Sequence, residues 1–279
     1  MKRFTAVAVL LFSLGCANKA AIETGKPVES VLLKSKFVPD DTTFYKQSTT
    51  SNMTMEMRGV SQTIDMNIET ELLYVVKDTG EVTKMDIVFN KVDNSVRMGD
   101  NVSNNKEANT LQGKTITLNM DRKGKVSKVE GLEGIDFFRK SLGKPEEQFG
   151  SQFDFLPDKE VNTNDSWTVE SDIQKTTYMF TGTENKEGFE CAKISIKGEL
   201  NVEKPLEMPG VKAKIKLKGT FTGNNWFAVK EGKLIESKIS TSMEGEQEIQ
   251  KESTSMKIPV YIDQTVNVKY QKLNIKDQN

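Results

Sequence analysis

From Lys36 onward, apolar and polar residues alternate with period two, the mark of strands that bury one face. Met53, Met55 and Met57 alternate with Thr54, Glu56 and Arg58. Met66, Ile68, Leu72, Tyr74 and Val76 share one parity through the next strand. Gly80 marks a turn, and Met85, Ile87 and Phe89 resume the pattern. Residues 93–109 are polar and rich in Asn, and read as a loop. Ile116, Leu118 and Met120 form another strand, turned at Gly124 toward Val126.

Residues 131–156 break the alternation. Leu132, Ile135, Phe138 and Leu142 are spaced at three and four, which predicts a short amphipathic helix ended by Gly143. Pro145 followed by Glu146 and Glu147 fits the first turn of a second short helix. Phe149, Phe153 and Phe155 are placed to pack this segment onto a sheet.

Trp167 opens a second run of strands. Ile194, Ile196, Leu200 and Val202 alternate with Lys193, Ser195, Lys197 and Glu199. Val211, Ala213, Ile215, Leu217 and Phe221 face one way, and Lys212, Lys214, Lys216 and Lys218 the other. The chain turns at Glu231-Gly232-Lys233 and ends in strands over residues 256–275. Turns at Gly80, Gly124, Gly188 and Gly232 are too short for parallel crossovers, so the pairing is antiparallel. A straight strand over 211–230 would run roughly 66 Å, so it must bend. The expected fold is mainly β: long curved antiparallel sheets, half-barrel-like, with a short central helical insert. One β-rich domain over 36–279 is expected. Its sheet-forming halves span about 36–130 and 157–275, and the insert spans 131–150.

The lysine stripe has two readings. It is a basic surface for lipid headgroups or an acidic partner, or it is a solvated outer face. Glu244, Glu246, Glu248 and Glu252 share one parity on the returning strand. A hairpin centred on Gly232 would set Lys218 opposite Glu246, Lys216 opposite Glu248 and Lys212 opposite Glu252, which supports the solvated face and a fixed register.

The N-terminus adds a location. Met1-Lys2-Arg3, a short apolar run and a small residue before a cut site form a secretory signal. The run from Phe4 to Gly15 is 12 residues long, short of the roughly 20 that span a bilayer. Leu11-Phe12-Ser13-Leu14-Gly15-Cys16 resembles the lipobox of bacterial lipoproteins. The resemblance implies a signal peptide over 1–15, cleavage between Gly15 and Cys16, and lipid on Cys16. Residues 16–35 then read as a lipidated tether. Two or more acyl chains give durable anchoring. Ala17 in place of aspartate implies, by the Gram-negative sorting rule, an outer membrane site facing the periplasm. In a Gram-positive host it is the outer face of the plasma membrane.

Composition narrows the chemistry. Without Lys2 and Arg3, 37 basic side chains of the 39 stand against 40 acidic, a net charge of −3. That is no nucleic-acid footprint. One cysteine, Cys191, remains, so no internal disulfide forms, and its alternating apolar context reads as core. Histidine is absent, which excludes histidine-based nucleophilic systems and histidine-ligated zinc. The acidic pairs lack the spacing of a calcium loop. No catalytic residue, metal or cofactor is expected, and the chain does not read as an enzyme.

The stretch Phe155-Leu156-Pro157-Asp158-Lys159-Glu160-Val161 with Asp165-Ser166-Trp167 resembles uncharacterised secreted β-proteins of bacteria that carry only a domain-of-unknown-function label. Trp226-Phe227 with the turn to Leu234 is similar, more loosely, to the hairpin of the lipoprotein-carrier and lipoprotein-receptor fold. That resemblance implies a bent sheet closed by helices over an apolar cavity. The expected function is therefore an envelope lipoprotein that binds a lipid or other apolar ligand. The ligand face would include Met53, Met55, Met57, Phe138, Phe149 and Trp226. The alternative is a structural or interaction lipoprotein with a packed core, no ligand and an envelope protein as partner. Phe137, Phe138 and Phe149 could plug the concave face or lid it.

Overall fold

The computed structural model describes residues 30–272 apart from 58, 122, 134, 136–144, 151, 209–210 and 252–253. The first run comprises β1 (Thr42–Met57), β2 (Val60–Thr79), β3 (Thr83–Met98), β4 (Asn101–Ser103), α1 (Lys106–Asn109), β5 (Thr115–Met120) and β6 (Val126–Glu130). A short helix α2 (Pro145–Gly150) follows, with proline at its first position as the sequence predicts. The second run comprises β7 (Ser166–Glu170), β8 (Gln174–Lys186), β9 (Phe189–Met208), β10 (Val211–Ala228), β11 (Lys233–Lys251) and β12 (Thr254–Gln271).

All strands join one antiparallel sheet in the order β6-β5-β3-β2-β1-β12-β11-β10-β9-β8-β7, with β4 on β3. The two halves are one sheet because the first strand pairs with the last. Tyr45 lies opposite Tyr270, and Met53 opposite Ile262.

The sheet is strongly curved. Gln47 in β1 and Thr176 in β8 are five strands apart, roughly 24 Å in a flat sheet. Both nonetheless wall one small cavity. The concave face carries two apolar clusters. One is centred on Phe180, Ile194, Leu217, Phe221 and Phe227. The other is centred on Leu72, Ile87, Phe89, Ile116 and Leu118. Burial of this face supplies the main driving force, at about 25 cal/mol per Å² of apolar surface. Gly245 permits a close approach at the bend: a Cβ there would overlap the carbonyl oxygen of Lys216.

The outer face carries the charged ladder. Lys218 lies opposite Glu244, Lys216 opposite Glu246 and Lys214 opposite Glu248, while Lys212 meets Gln250. The pairs differ from the predicted ones by two residues. The turn after β10 closes earlier than a Gly232-centred hairpin, and a bulge follows between Trp226 and Phe227. The slip is even, so lysines and glutamates stay on one face. Glu203 of β9 reaches Lys214 and Lys216 at 3.4 Å each, and Lys257 of β12 reaches Glu246 at 2.6 Å.

Two further expectations are corrected. Residues 93–98 are not loop but the end of β3, where Val92, Val96 and Met98 keep the concave parity after a bulge beside Leu72. Residues 31–35, assigned to a tether by the sequence, are docked on the folded domain. Val31 and Val161 exchange hydrogen bonds of 2.9 and 3.0 Å, and Leu33 is fully buried. The helix predicted over 132–142 falls largely on residues outside those described. Ile135, just before them, is buried against the sheet.

Candidate functional site

One end of the concave face is covered by two crossing segments. The first is 152–156, which follows α2. Phe153 packs on Phe37 at 6.2 Å and Tyr74 at 6.0 Å between ring centroids. Phe155 packs on Tyr178 and, edge-on, on Phe227, both at 6.0 Å. The carbonyl oxygen of Phe155 accepts a 2.8 Å hydrogen bond from Trp167 Nε1, and the Tyr74 hydroxyl donates to Gln152 Oε1 at 2.6 Å. Gly124, at φ +91°, makes room for this crossing, since a Cβ there would sit 2.8 Å from Phe153 Cβ. The second is the strap 31–37. The Lys36 backbone N–H donates to the Gly232 carbonyl at 3.0 Å, and Lys36 Nζ to the Lys230 carbonyl at 2.5 Å.

Two adjoining cavities lie beneath. One, of about 50 Å³, is walled by Phe37, Tyr45, Tyr74, Phe153, Phe155 and Phe227. The other, of about 40 Å³, is walled by Gln47, Asn225, Ser237, Thr176, Phe221 and Ile239. Gln152, Leu234 and Val268 wall both. The Tyr45 hydroxyl donates to the Leu234 carbonyl at 2.9 Å. Burial pushes the Tyr45, Tyr74 and Tyr178 phenols above their ordinary pKa. The half-buried Asp154 carboxyl is raised by desolvation and then by Asp121.

The second cavity belongs to a polar belt running through the apolar face. Gln47, Thr70, Asn225, Thr241 and Gln264 occupy concave positions flanked along their strands by core residues, and all are buried. Gln47 Oε1, Thr70 Oγ1, Asn225 Oδ1, Thr241 Oγ1 and both polar atoms of the Gln264 amide have no hydrogen-bond partner in the protein. Unpaired buried polar atoms are rare in native proteins and call for an explanation.

The sequence-predicted ligand face is not assembled at this site. Met53, Met55 and Met57 lie on the concave face but toward the far end, half-buried, and the first two pack on the cluster centred on Phe180 and Leu217. Phe149, in α2, is buried as core filling against the sheet. Trp226 lies on the opposite face. It shares the parity of the lysine stripe and packs with Cys191, Ala228 and Ile235. Its Nε1 donates to Glu184, and Lys186 Nζ stands 4.2 Å above its ring. The reason is the alternation itself: Phe227, not Trp226, has the inward parity. Phe137, Phe138, Gly15 and Cys16 lie outside the described residues. The lining groups that sequence reasoning missed are Gln47, Asn225 and their polar neighbours. Their signal was a polar residue at core parity.

A wide depression of about 530 Å³ is open and lies on the outer face among Asn52, Asp65, Arg97 and Asp263. Asn52 donates there to Asp65 at 2.7 Å, as expected of solvated cross-strand pairs. Among the described residues no group of His, Cys, Asp and Glu is disposed to hold a metal, and no helix is long and apolar enough to cross a membrane.

The sequence matches no curated protein. Among solved structures, lipovitellin aligns at 10% identity and a TM-score of 0.49, over 85% of this chain and 26% of its own. This chain thus spans about a quarter of the lipovitellin chain. An outer membrane channel from Pseudomonas putida aligns at 10% identity and TM-score 0.22, over 91% of this chain and 100% of its own. A DUF1329 family protein from Desulfovibrio piger aligns at 10% identity and TM-score 0.16, over 81% and 85%. At such scores none lends this chain a function. Residues 137–232, which include the stretch 155–167, match a family described as a family of unknown function (DUF6263).

Proposed function

We propose that this is a non-catalytic protein of the bacterial cell envelope, anchored by lipid on Cys16, whose concave sheet face shelters a mainly apolar ligand. The observation that carries this reading is the pair of adjoining cavities under the 152–156 crossing and the 31–37 strap. Their walls are aromatic and aliphatic with a few convergent amides and hydroxyls, the usual make-up of a small-molecule site. Volumes of about 50 and 40 Å³ hold water but not an acyl chain. Ligand entry therefore requires displacement of the crossing segment, which acts as a lid.

The same volumes favour a second reading, an interaction protein whose concave face is permanently packed. The contact surface is then the ladder of lysines and glutamates on the outer face. Native mass spectrometry of the full chain, released from membranes in mild detergent, separates the two. A co-purifying lipid-mass adduct, lost on denaturation and distinct from the covalent anchor, supports the binding reading. A clean protein mass, with no uptake of added lipid, supports the packed-core reading.

A further inference from the structure

The belt of buried amides and hydroxyls bears on which ligand the concave face takes. Gln47 of β1 stands directly opposite Thr70 of β2, and Asn225 of β10 directly opposite Ser237 of β11. Both pairs point into the concave side, where Gln47 and Asn225 converge on the 40 Å³ cavity from strands three places apart in the sheet. Gln47 is 3% exposed and Asn225 5%, and each presents a side-chain oxygen that accepts nothing from the protein. Nothing about packing requires this. Leucine in place of Gln47, or valine in place of Asn225, differs by only about one methylene of volume and leaves no polar atom unpaired, and the neighbouring concave positions are Val266, Val268 and Ile239.

The polar groups are also neutral. Among the described residues, the walls of this cavity hold no Lys, Arg, Asp or Glu. The charged groups border the adjoining cavity instead: Lys233 pairs with Asp41 at 3.6 Å, and the exposed Lys36 donates its Nζ hydrogen to the Lys230 carbonyl. A carboxylate or phosphate seated between Gln47 and Asn225 would be a buried charge with no cation among the walls around it, which is strongly unfavourable. An amide both donates and accepts, and so does a hydroxyl.

We propose that the concave site selects an uncharged amphiphile, an acyl or similar apolar body whose polar group is a hydroxyl or amide seated between Gln47 and Asn225. This inference rests on the binding reading above and adds the chemistry of the polar group. Hydrogen bonds donated to two otherwise unpaired side-chain oxygens give a preference of about tenfold or more over a charged head of equal chain length.

The test uses the full chain in phosphatidylcholine vesicles, with two diazirine-tagged probes of the same acyl length: a monoacylglycerol and a free fatty acid, at pH 8. After irradiation and digestion, adducts are mapped by mass spectrometry. The expected result is labelling of peptides that contain Gln47, Asn225 or Phe155, at least tenfold stronger with the monoacylglycerol. In the double variant Gln47→Leu/Asn225→Val the preference falls to within twofold while labelling persists. Equal or stronger labelling by the fatty acid overturns the assignment of the polar group and leaves the binding reading standing. An undiminished preference in the double variant overturns the role of these two residues. Labelling by neither probe overturns the binding reading itself, and this inference with it.

Discussion

Phe155→Ala tests whether the 152–156 crossing is held as described. The ring is 1% exposed and lies against Tyr178 and Phe227. Removing a buried phenyl group forfeits about 2–3 kcal/mol of transfer free energy. Two lost ring pairs add roughly 0.5–1.5 kcal/mol each. The expected loss is therefore about 4 kcal/mol, within the range of about 3–5 for Phe→Ala in cores. Domains are typically stable by about 5–15 kcal/mol, so the variant should fold. Urea unfolding is followed by tryptophan fluorescence and far-ultraviolet circular dichroism. With a slope of about 3 kcal/mol per molar, the midpoint falls by more than about 1 M. The backbone bond to Trp167 survives the substitution, so hydrogen exchange should quicken first at 152–156 and the β1 amides beneath it, before β9 and β10. A loss below about 1 kcal/mol, or uniform exchange, would refute the view that this side chain anchors the crossing.

Three further outcomes are expected. Gly245→Ala should lower the urea midpoint by the equivalent of about 2 kcal/mol or more, because the Lys216 carbonyl must move to admit a Cβ; a neutral result would mean that the bend is soft. Gln47→Leu should leave the ligand-free protein as stable or more stable by up to about 2 kcal/mol in the same assay. A clear destabilisation would show that this amide is satisfied. Finally, burial, then the Glu231 and Glu184 carboxylates, push the Cys191 thiol up to about 12. The folded state thus keeps a proton that the unfolded state loses above about 9, so stability present below that pH falls as pH climbs toward 12. Titration monitored by circular dichroism checks the slope, and slow reaction of native Cys191 with a thiol reagent at pH 8 checks its burial.

The sheet was legible because its strands are amphipathic over great length. Ile215 and Leu217 inward with Lys214 and Lys216 outward leave no doubt about face, and short turns leave none about direction. Register was less legible, since the early turn displaces the pairs by three residues and the bulge opposite Trp226 takes back one, leaving an even slip that changes every pair and no face. The misplacement of Trp226 has a simpler cause. An indole is read as core by its chemistry, but its position in the alternation put it outside, over Cys191. The polar belt was hidden for a different reason. Gln47 lies between Tyr45 and Thr49, and Gln264 between Ile262 and Val266, at core parity. Each exception looks minor within one strand. Only the pairing of β1 with β12 sets Gln264 opposite Ser51, four residues from Gln47 on the same face. Nothing local in the sequence announces that pairing.

That pairing also constrains when the molecule can form. Of the strands described, the two central ones are the first and the last to be made. β1 can hairpin with β2 early, but its other edge stays unpaired until β12 exists, some two hundred residues later. Loop closure over such a separation makes folding slow, and a long-lived open edge invites association with other chains. For a chain that crosses a membrane before it folds, as proposed here, the delay is useful. The halves cannot merge into one sheet until β12 has been made, so translocation meets an unfinished structure. Deleting β12 should therefore do more than shorten the sheet: it should leave two half-sheets, each with a long, bare central edge.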